Sequence, residues 1–164
     1  MENNIKGVIL WCSKKRRGIK IVEPNNNLCN AYLRKANNSL KAMKVNIGAE
    51  IMEWAINASY YTRYQAVYAL LMKCGIKSEI HGCSIALANY LFRDKLSIVL
   101  LDDFETSKKQ RIDLQYYTGK TDDEDLKRTI NNTPEFLMSV EKLISELTRD
   151  EINKLREKIK KLID

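Results

Sequence analysis

The stretch NASYYTRYQAVYALLMKCGI, from Asn57 to Ile76, decides the fold of this chain. A helix drawn through it carries apolar or aromatic residues around most of its circumference, which is typical of a helix enclosed by other helices. Together with the residues before it, the stretch predicts one long central helix from about Ala49 to Cys74. Gly75 is well suited to end that helix.

The segments on both sides of this stretch also have helical spacing of their apolar residues. Six glycines and two prolines in 164 residues leave few points at which helices must break. Further helices are therefore predicted from Leu28 to Gly48, from His81 onward with Ser78 as its cap, and from Ser97 to Tyr117 with Gly119 as its stop. Three more are predicted to begin at the capping box Thr121–Glu124, at Thr133 and at a second capping box, Thr148–Glu151. The predicted fold class is all-α, an antiparallel bundle of four to five core helices.

The length of the chain suits one domain with a substantial core. Residues 28–147 are predicted to form the helical domain, and residues 148–164 an added amphipathic helix packed on it. Residues 1–27 are predicted to be a short basic extension. Within that extension, residues 5–12 are expected to form a helical turn or a strand-like arm.

The chain carries a formal charge of +7, and part of the excess lies in the run Lys14, Lys15, Arg16 and Arg17. Such a run can neutralise phosphates of RNA or of a nucleotide, although a solvated basic turn is an equal reading. No apolar run is long enough to span a bilayer, and no signal peptide pattern is present. The sequence predicts a cytoplasmic protein without a membrane association.

Four cysteines are scattered along the chain, at positions 12, 29, 74 and 83, and only one histidine, His81, accompanies them. A zinc site needs closely spaced ligands, which this sequence lacks. We therefore expect buried, reduced thiols, with no metal and no cofactor.

Several motifs keep a recognisable order along the chain: the helix AYLRKANNSLKA at residues 31–42, the tyrosines and alanines of the central helix, Gly75-Ile76 followed by His81, and Arg111 followed by Tyr116. Together they resemble one known family, the HEPN domains (higher eukaryotes and prokaryotes nucleotide-binding). The resemblance implies a helical bundle that pairs as a symmetric dimer.

The ribonuclease branch of that family carries Arg-x(4–6)-His, in which arginine holds the scissile phosphate and histidine assists proton transfer. Here Arg111 is followed by Ile112, and Tyr116 stands where the histidine would be. A tyrosine with an ordinary pKa of about 10 is a poor proton shuttle at pH 7. His81 is expected to lie on another helix, away from Arg111, and to make a local hydrogen bond. A metal-independent endoribonuclease remains an alternative only if His81 or Tyr116 substitutes for the missing group.

Without the motif histidine, the site still contains an arginine that can bind an anion beside aromatic rings. Arg111, Tyr116, Tyr117 and Arg63 are the predicted nucleotide- or phosphate-binding residues. The alternative is that Arg111 pairs with a carboxylate and that the tyrosines seal the bundle. For Arg63, a structural cation–π or carboxylate contact is an equal alternative to a place beside Arg111. Tyr60, Tyr64 and Tyr68, which recur every four residues, are expected to line the core or a dimer interface.

The resemblance also implies a partner. Some HEPN proteins are the helical partners of minimal nucleotidyltransferases in toxin–antitoxin systems, and the transferase can nucleotidylate a tyrosine of the HEPN protein. Tyr116 or Tyr117 would be that site here. A homodimeric interaction module without ligand is the remaining alternative.

Overall fold

The structure is a computed structural model that describes residues 2–117 and 123–163. The helices, in chain order, are α1 (Glu2–Ser13), α2 (Asn26–Gly48), α3 (Met52–Lys73), α4 (His81–Phe92), α5 (Ile98–Tyr116), α6 (Asp123–Asn131), α7 (Thr133–Glu146) and α8 (Arg149–Ile163). Two short strands, β1 (Lys20–Ile21) and β2 (Ile76–Lys77), pair antiparallel. The prediction of an all-α bundle is confirmed.

The central helix α3 is surrounded by the rest of the bundle. It packs against α2 along most of its length and also contacts α4, α5, α6 and α7. Its buried residues lie on every side of the helix and include polar ones such as Thr62 and Arg63. No side of α3 is exposed to solvent along its whole length. The helices that carry the candidate site pack against α3, so its position fixes their positions.

Local signals in the sequence fix most helix ends. The side chain of Asn25 accepts a hydrogen bond from the Leu28 amide and caps α2. The box at the start of α8 forms as predicted, since Thr148 and Glu151 bond each other's backbone amides. Gly75 follows α3 with a positive φ of 66°, a conformation that favours glycine.

Other predictions differ from the structure. Residues 5–12 belong to a regular helix, α1, which is longer than the expected turn or arm. Ser78 is not the cap of α4, because Ile80 holds that position and provides no side-chain hydrogen bond. The predicted stop at Gly119 and the first part of the box at Thr121 lie outside the described residues.

The main core extends into both ends of the chain. Ile9 and Cys12 of α1 and Ile159 of α8 are fully or almost fully buried in the same cluster as the central residues of α3. Arg156 of α8 donates hydrogen bonds to the carbonyl oxygens of Cys74 and Gly75, at 3.2 and 3.1 Å. The terminal helices therefore help to hold the segment that links α3 to α4.

The expectation of four reduced thiols is wrong for two of them. Cys12 and Cys83 form a disulfide between α1 and α4, whereas Cys29 and Cys74 are buried and free. The two bonded cysteines are 71 positions apart in sequence, and only the packing of α1 on α4 brings their Cα atoms to 5.9 Å. That proximity has no local signature in the sequence.

This crosslink should contribute measurably to stability. Closing a loop of this length constrains the unfolded chain by about 4 kcal/mol in the chain-entropy account. We expect reduction, or the double change Cys12→Ala with Cys83→Ala, to lower the free energy of unfolding in urea by about 2–4 kcal/mol. As a control, a thiol titration of the unfolded, unreduced protein should find only Cys29 and Cys74 reactive. Reactivity of all four cysteines in air-oxidised protein would contradict the disulfide.

Candidate functional site

Arg111 lies near the end of α5, against two tyrosines in the middle of α3. Its guanidinium carbon is 5.1 Å from the ring centre of Tyr60 and 5.6 Å from that of Tyr61. Its Nη1 donates a hydrogen bond to the Tyr61 hydroxyl at 3.3 Å. Two aromatic faces and one hydroxyl thus orient the guanidinium.

No carboxylate neutralises Arg111 within residues 2–117 and 123–163. It forms no ion pair with any described residue, and its Nε is buried without a hydrogen-bond partner. A buried charged group normally has its donors satisfied, because an unmet donor costs about 1–3 kcal/mol. The guanidinium therefore has unused capacity to bind an anion.

His81 joins this cluster, contrary to the expectation that it would lie away from Arg111. Its ring stacks on Tyr64, with centres 3.9 Å apart, and its Nδ1 is 2.5 Å from the Tyr60 hydroxyl. The short connection through β2 turns the chain back after α3, so α4 begins beside the middle of α3. A histidine and an arginine that are 30 positions apart in sequence therefore contact the same tyrosine.

The hydrogen bond to Tyr60 fixes which nitrogen of His81 carries the proton. Burial strongly raises the pKa of the Tyr60 hydroxyl, so this group stays protonated and donates. Burial also lowers the pKa of His81, and the positive charges of Arg111 and Lys108 add to the effect. The ring is neutral at pH 7, with Nδ1 as acceptor and the proton on Nε2.

Lys108 is a site residue that the sequence reasoning missed. A Cβ atom added to Gly82 would lie 3.4 Å from its Nζ, so the ammonium lies against the first turn of α4. Lys108 precedes Arg111 by three positions, a spacing that puts two helical side chains on one face. That spacing is the signal in the sequence that could have identified it.

Arg63 does not share the site with Arg111. It is fully buried, and its Nη1 donates to the hydroxyls of Ser59 and Thr133, at 2.6 and 2.8 Å. Its guanidinium lies 5.7 Å from the ring of Phe136, on the α7 side of α3. Burial lowers the pKa of Arg63 to about 10, against the opposing attraction of Asp103, so the side chain is still charged at pH 7. Its role is to join α3 to α6 and α7.

The tyrosines that follow Arg111 are exposed to solvent. Tyr116 and Tyr117, at the end of α5, are 67% and 66% exposed, and neither ring stacks on an aromatic ring of the described residues. By contrast, Tyr60 is fully buried and Tyr68 nearly so, while Tyr64 is half-buried between them. This stripe on α3 lies within the subunit.

The basic run lies at the end of α1, where all four side chains are exposed. Lys15 stacks over Trp11 at 4.5 Å, and Arg17 is 3.8 Å from the carboxylate of Glu79. The carbonyl of Arg17 also accepts a hydrogen bond from the Glu79 amide. The run therefore adjoins the segment just before His81.

Neither a metal site nor a membrane-spanning helix is found in the part of the chain that the structure describes. No group of three or more His, Cys, Asp or Glu residues is placed to hold a metal ion there. Nor does any of the described helices combine the length and the apolar character that crossing a bilayer requires.

An all-α bundle in which tyrosines of α3 hold an arginine beside a neutral histidine defines a helical protein with a cationic, aromatic site. The family model for the HEPN domain matches residues 29–143, which is most of the chain, and the chain belongs to the HEPN domain family. At the level of the family, it is a helical protein related to nucleotides or RNA. No curated protein is significantly similar to the chain.

The titration of His81 tests the geometry of this cluster. Its pKa is lowered in the folded protein relative to the usual value of about 6.5, so the unfolded chain binds more protons just below that pH. The stability that a neutral His81 provides is present above pH 6.5 and is lost as the pH falls toward the lowered pKa.

We expect the single imidazole signal in an NMR titration to have a midpoint below pH 6.5. The free energy of unfolding should also fall between pH 7.5 and 5.5, and His81→Gln should remove part of that slope. A midpoint at or above 6.5 would show that His81 is not held neutral by this packing.

Proposed function

We propose that the chain binds a nucleotide or RNA through a phosphate group at Arg111. The observation that carries this proposal is the guanidinium oriented on Tyr60 and Tyr61, which has no ion pair and a buried, unpartnered Nε among the residues that the structure describes. Arginine is suited to this task because its planar fork of donors matches the oxygens of a phosphate.

The neighbours of Arg111 supply complementary chemistry. Lys108 adds a second positive charge near the start of α4, and the neutral ring of His81 offers an N–H donor at Nε2. The overall charge of +7 attracts polyanions to the molecule at low salt. A phosphate at Arg111 would therefore be bound by charge and by directed donors together.

We also propose that the protein is the helical partner of a minimal nucleotidyltransferase, as the resemblance implies. The exposure of Tyr116 and Tyr117 supports this, because a transferase can reach either hydroxyl. In such a reaction the tyrosine oxygen would bond to the α-phosphorus of a nucleoside triphosphate, whose bond to the bridging oxygen breaks. Pyrophosphate would leave, and the hydroxyl proton would pass to a base of the transferase.

A homodimer is the assembly that we propose for this chain, again from the resemblance to the family. In a symmetric pair, one Arg111 from each subunit could bind the same RNA strand. Light scattering on the purified protein tests this assembly, and a mass of one chain at all concentrations would exclude it.

The arginine is tested by charge-matched variants on α5. We expect Arg111→Ala to raise the Kd for a labelled single-stranded RNA in fluorescence anisotropy by about 10-fold or more, since a charge-assisted hydrogen bond contributes about 1.5–3 kcal/mol. Lys109→Ala removes the same charge from an exposed position of the helix and should change the Kd about twofold at most.

Equal binding by wild type and Arg111→Ala would exclude the proposed site. Loss of binding in both variants would assign the interaction to general charge.

The same preparations also test the enzyme alternative. If the protein cleaves RNA without divalent metal, and if both Arg111→Ala and His81→Gln lose this cleavage, the protein is an endoribonuclease.

Nucleotidylation is tested with a candidate transferase, for which the first choice is one encoded beside this chain. Incubation with ATP should add the mass of AMP to Tyr116 or Tyr117, as located by peptide mass spectrometry. The variant in which both become Phe should gain no mass. Addition at the half-buried Tyr61 instead, or no addition at all, would count against this role.

A further inference from the structure

A groove lined by tyrosines lies between the start of α2, the second half of α3 and β2, and shares Tyr64 with the ring cluster around His81. Its volume is about 600 Å³, and its lining includes Tyr32, Tyr64, Tyr68, Leu28, Lys77 and Glu79. We call it the tyrosine groove. Neither the family match nor the site at Arg111 assigns it a role.

The rings of the groove continue the aromatic cluster of the site. The Tyr64 ring, which stacks on His81 at 3.9 Å, lies 6.2 Å from that of Tyr68, which in turn lies 4.4 Å from that of Tyr32. Tyr64 therefore forms a wall of the groove while it contacts the histidine beside Arg111. A ligand extending from the site past Tyr64 would meet flat aromatic surfaces.

The charges around the groove favour an anionic ligand. Lys77 and Arg17 together neutralise Glu79, at 2.7 and 3.8 Å. Two further lysines lie nearby. Lys20 pairs with Lys77 across the two strands, and the ammonium of Lys35 lies 4.8 Å from the centre of the Tyr32 ring. These two positive charges outnumber the one remaining acid of the groove, Glu23.

This balance argues against a ligand with a quaternary ammonium group. Tyrosine cages that bind such cations work by attraction to the ring faces, and the excess of lysines here opposes it. The hydroxyls of Tyr64 and Tyr68 remain protonated at neutral pH, because burial raises the pKa of Tyr64 to about 12 and also raises that of Tyr68. Neutral hydroxyls and flat rings suit the edges and faces of a nucleobase.

We propose that the tyrosine groove binds an unpaired base of the RNA strand whose phosphate is held at Arg111. This inference rests on the proposed function and specifies its ligand, single-stranded RNA of at least two nucleotides. Base stacking on aromatic side chains tolerates any sequence, so the groove should add affinity without strong base preference.

Two variants remove the groove without touching the cluster at Arg111. Leu28 lines the groove on α2 and is 41% exposed, so Leu28→Trp should fill the groove without entering the core. Tyr32→Leu removes a flat ring and keeps apolar volume. Val45→Trp is the matched control, because Val45 is an exposed residue of α2 that does not line the groove.

The experiment measures anisotropy with labelled uridine monophosphate, a uridine tetranucleotide and an abasic tetramer, for each variant with unchanged circular dichroism. For wild type and Val45→Trp, we expect the tetranucleotide to bind more tightly than the other two ligands by about fivefold or more. Leu28→Trp and Tyr32→Leu should lose this difference and keep wild-type affinity for the abasic tetramer. If Tyr32→Leu fails to fold, Leu28→Trp carries the test.

The outcomes separate the two proposals. Loss of all binding in Arg111→Ala, with no difference between the groove variants and wild type, would overturn the groove and keep the proposed function. Full binding by Arg111→Ala would overturn the proposed function itself. Equal losses on the tetranucleotide and on the abasic tetramer would show that the groove does not stack a base. Binding of a trimethyllysine peptide in the groove, without the preference for the tetranucleotide, would also overturn the inference.

Discussion

The side chain of Tyr60 is fully buried in the middle of α3, and its ring contacts Phe104, Tyr64, His81 and Arg111. Its hydroxyl holds His81 in one tautomer, while its face supports the guanidinium of Arg111. A buried tyrosine needs a partner for its hydroxyl, and here the imidazole supplies one at the edge of the core. The packing of one residue therefore determines both the position of the histidine and the orientation of the arginine.

The two arginines that contact the central helix show how burial divides their roles. Arg63 is enclosed by hydroxyl and carbonyl acceptors from α3, α6 and α7, so its charge serves to join those helices. Arg111 stands at the edge of the bundle on aromatic faces, which orient a cation without neutralising it. The Nε of each arginine lacks a partner among the described residues, but the terminal nitrogens of Arg63 are bonded to several acceptors, whereas Arg111 donates only to the Tyr61 hydroxyl there. Free donors at the edge of the bundle are expected of a ligand-binding group, and this contrast is the basis of the proposed function.

The chain around the start of α4 contacts both the disulfide and the tyrosine groove, since Cys83 forms the disulfide and Glu79 lines the groove. Cys83 ties the first turn of α4 to α1, and Glu79, just before that turn, bonds to the basic run at the end of α1. The N-terminal residues thereby support the position of His81. They precede the part of the chain that matches the HEPN family, which begins at residue 29. Parts of the chain beyond the family match thus contribute to the geometry of the site.

The sequence by itself determined the helices, because apolar spacing, asparagine and threonine caps and the glycine after α3 are local signals that act within a few residues. It also determined the family, through motifs on α2, α3 and α5 that keep their order along the chain. Only the tertiary structure decided that His81 lies with Arg111, that Tyr116 does not, and that Cys12 bonds to Cys83. Each of these facts depends on how helices pack across long sequence separations, and side-chain chemistry at one position carries no information about that packing. The arginine is thus accompanied by a histidine after all, one that comes from α4 and lies far from it in sequence.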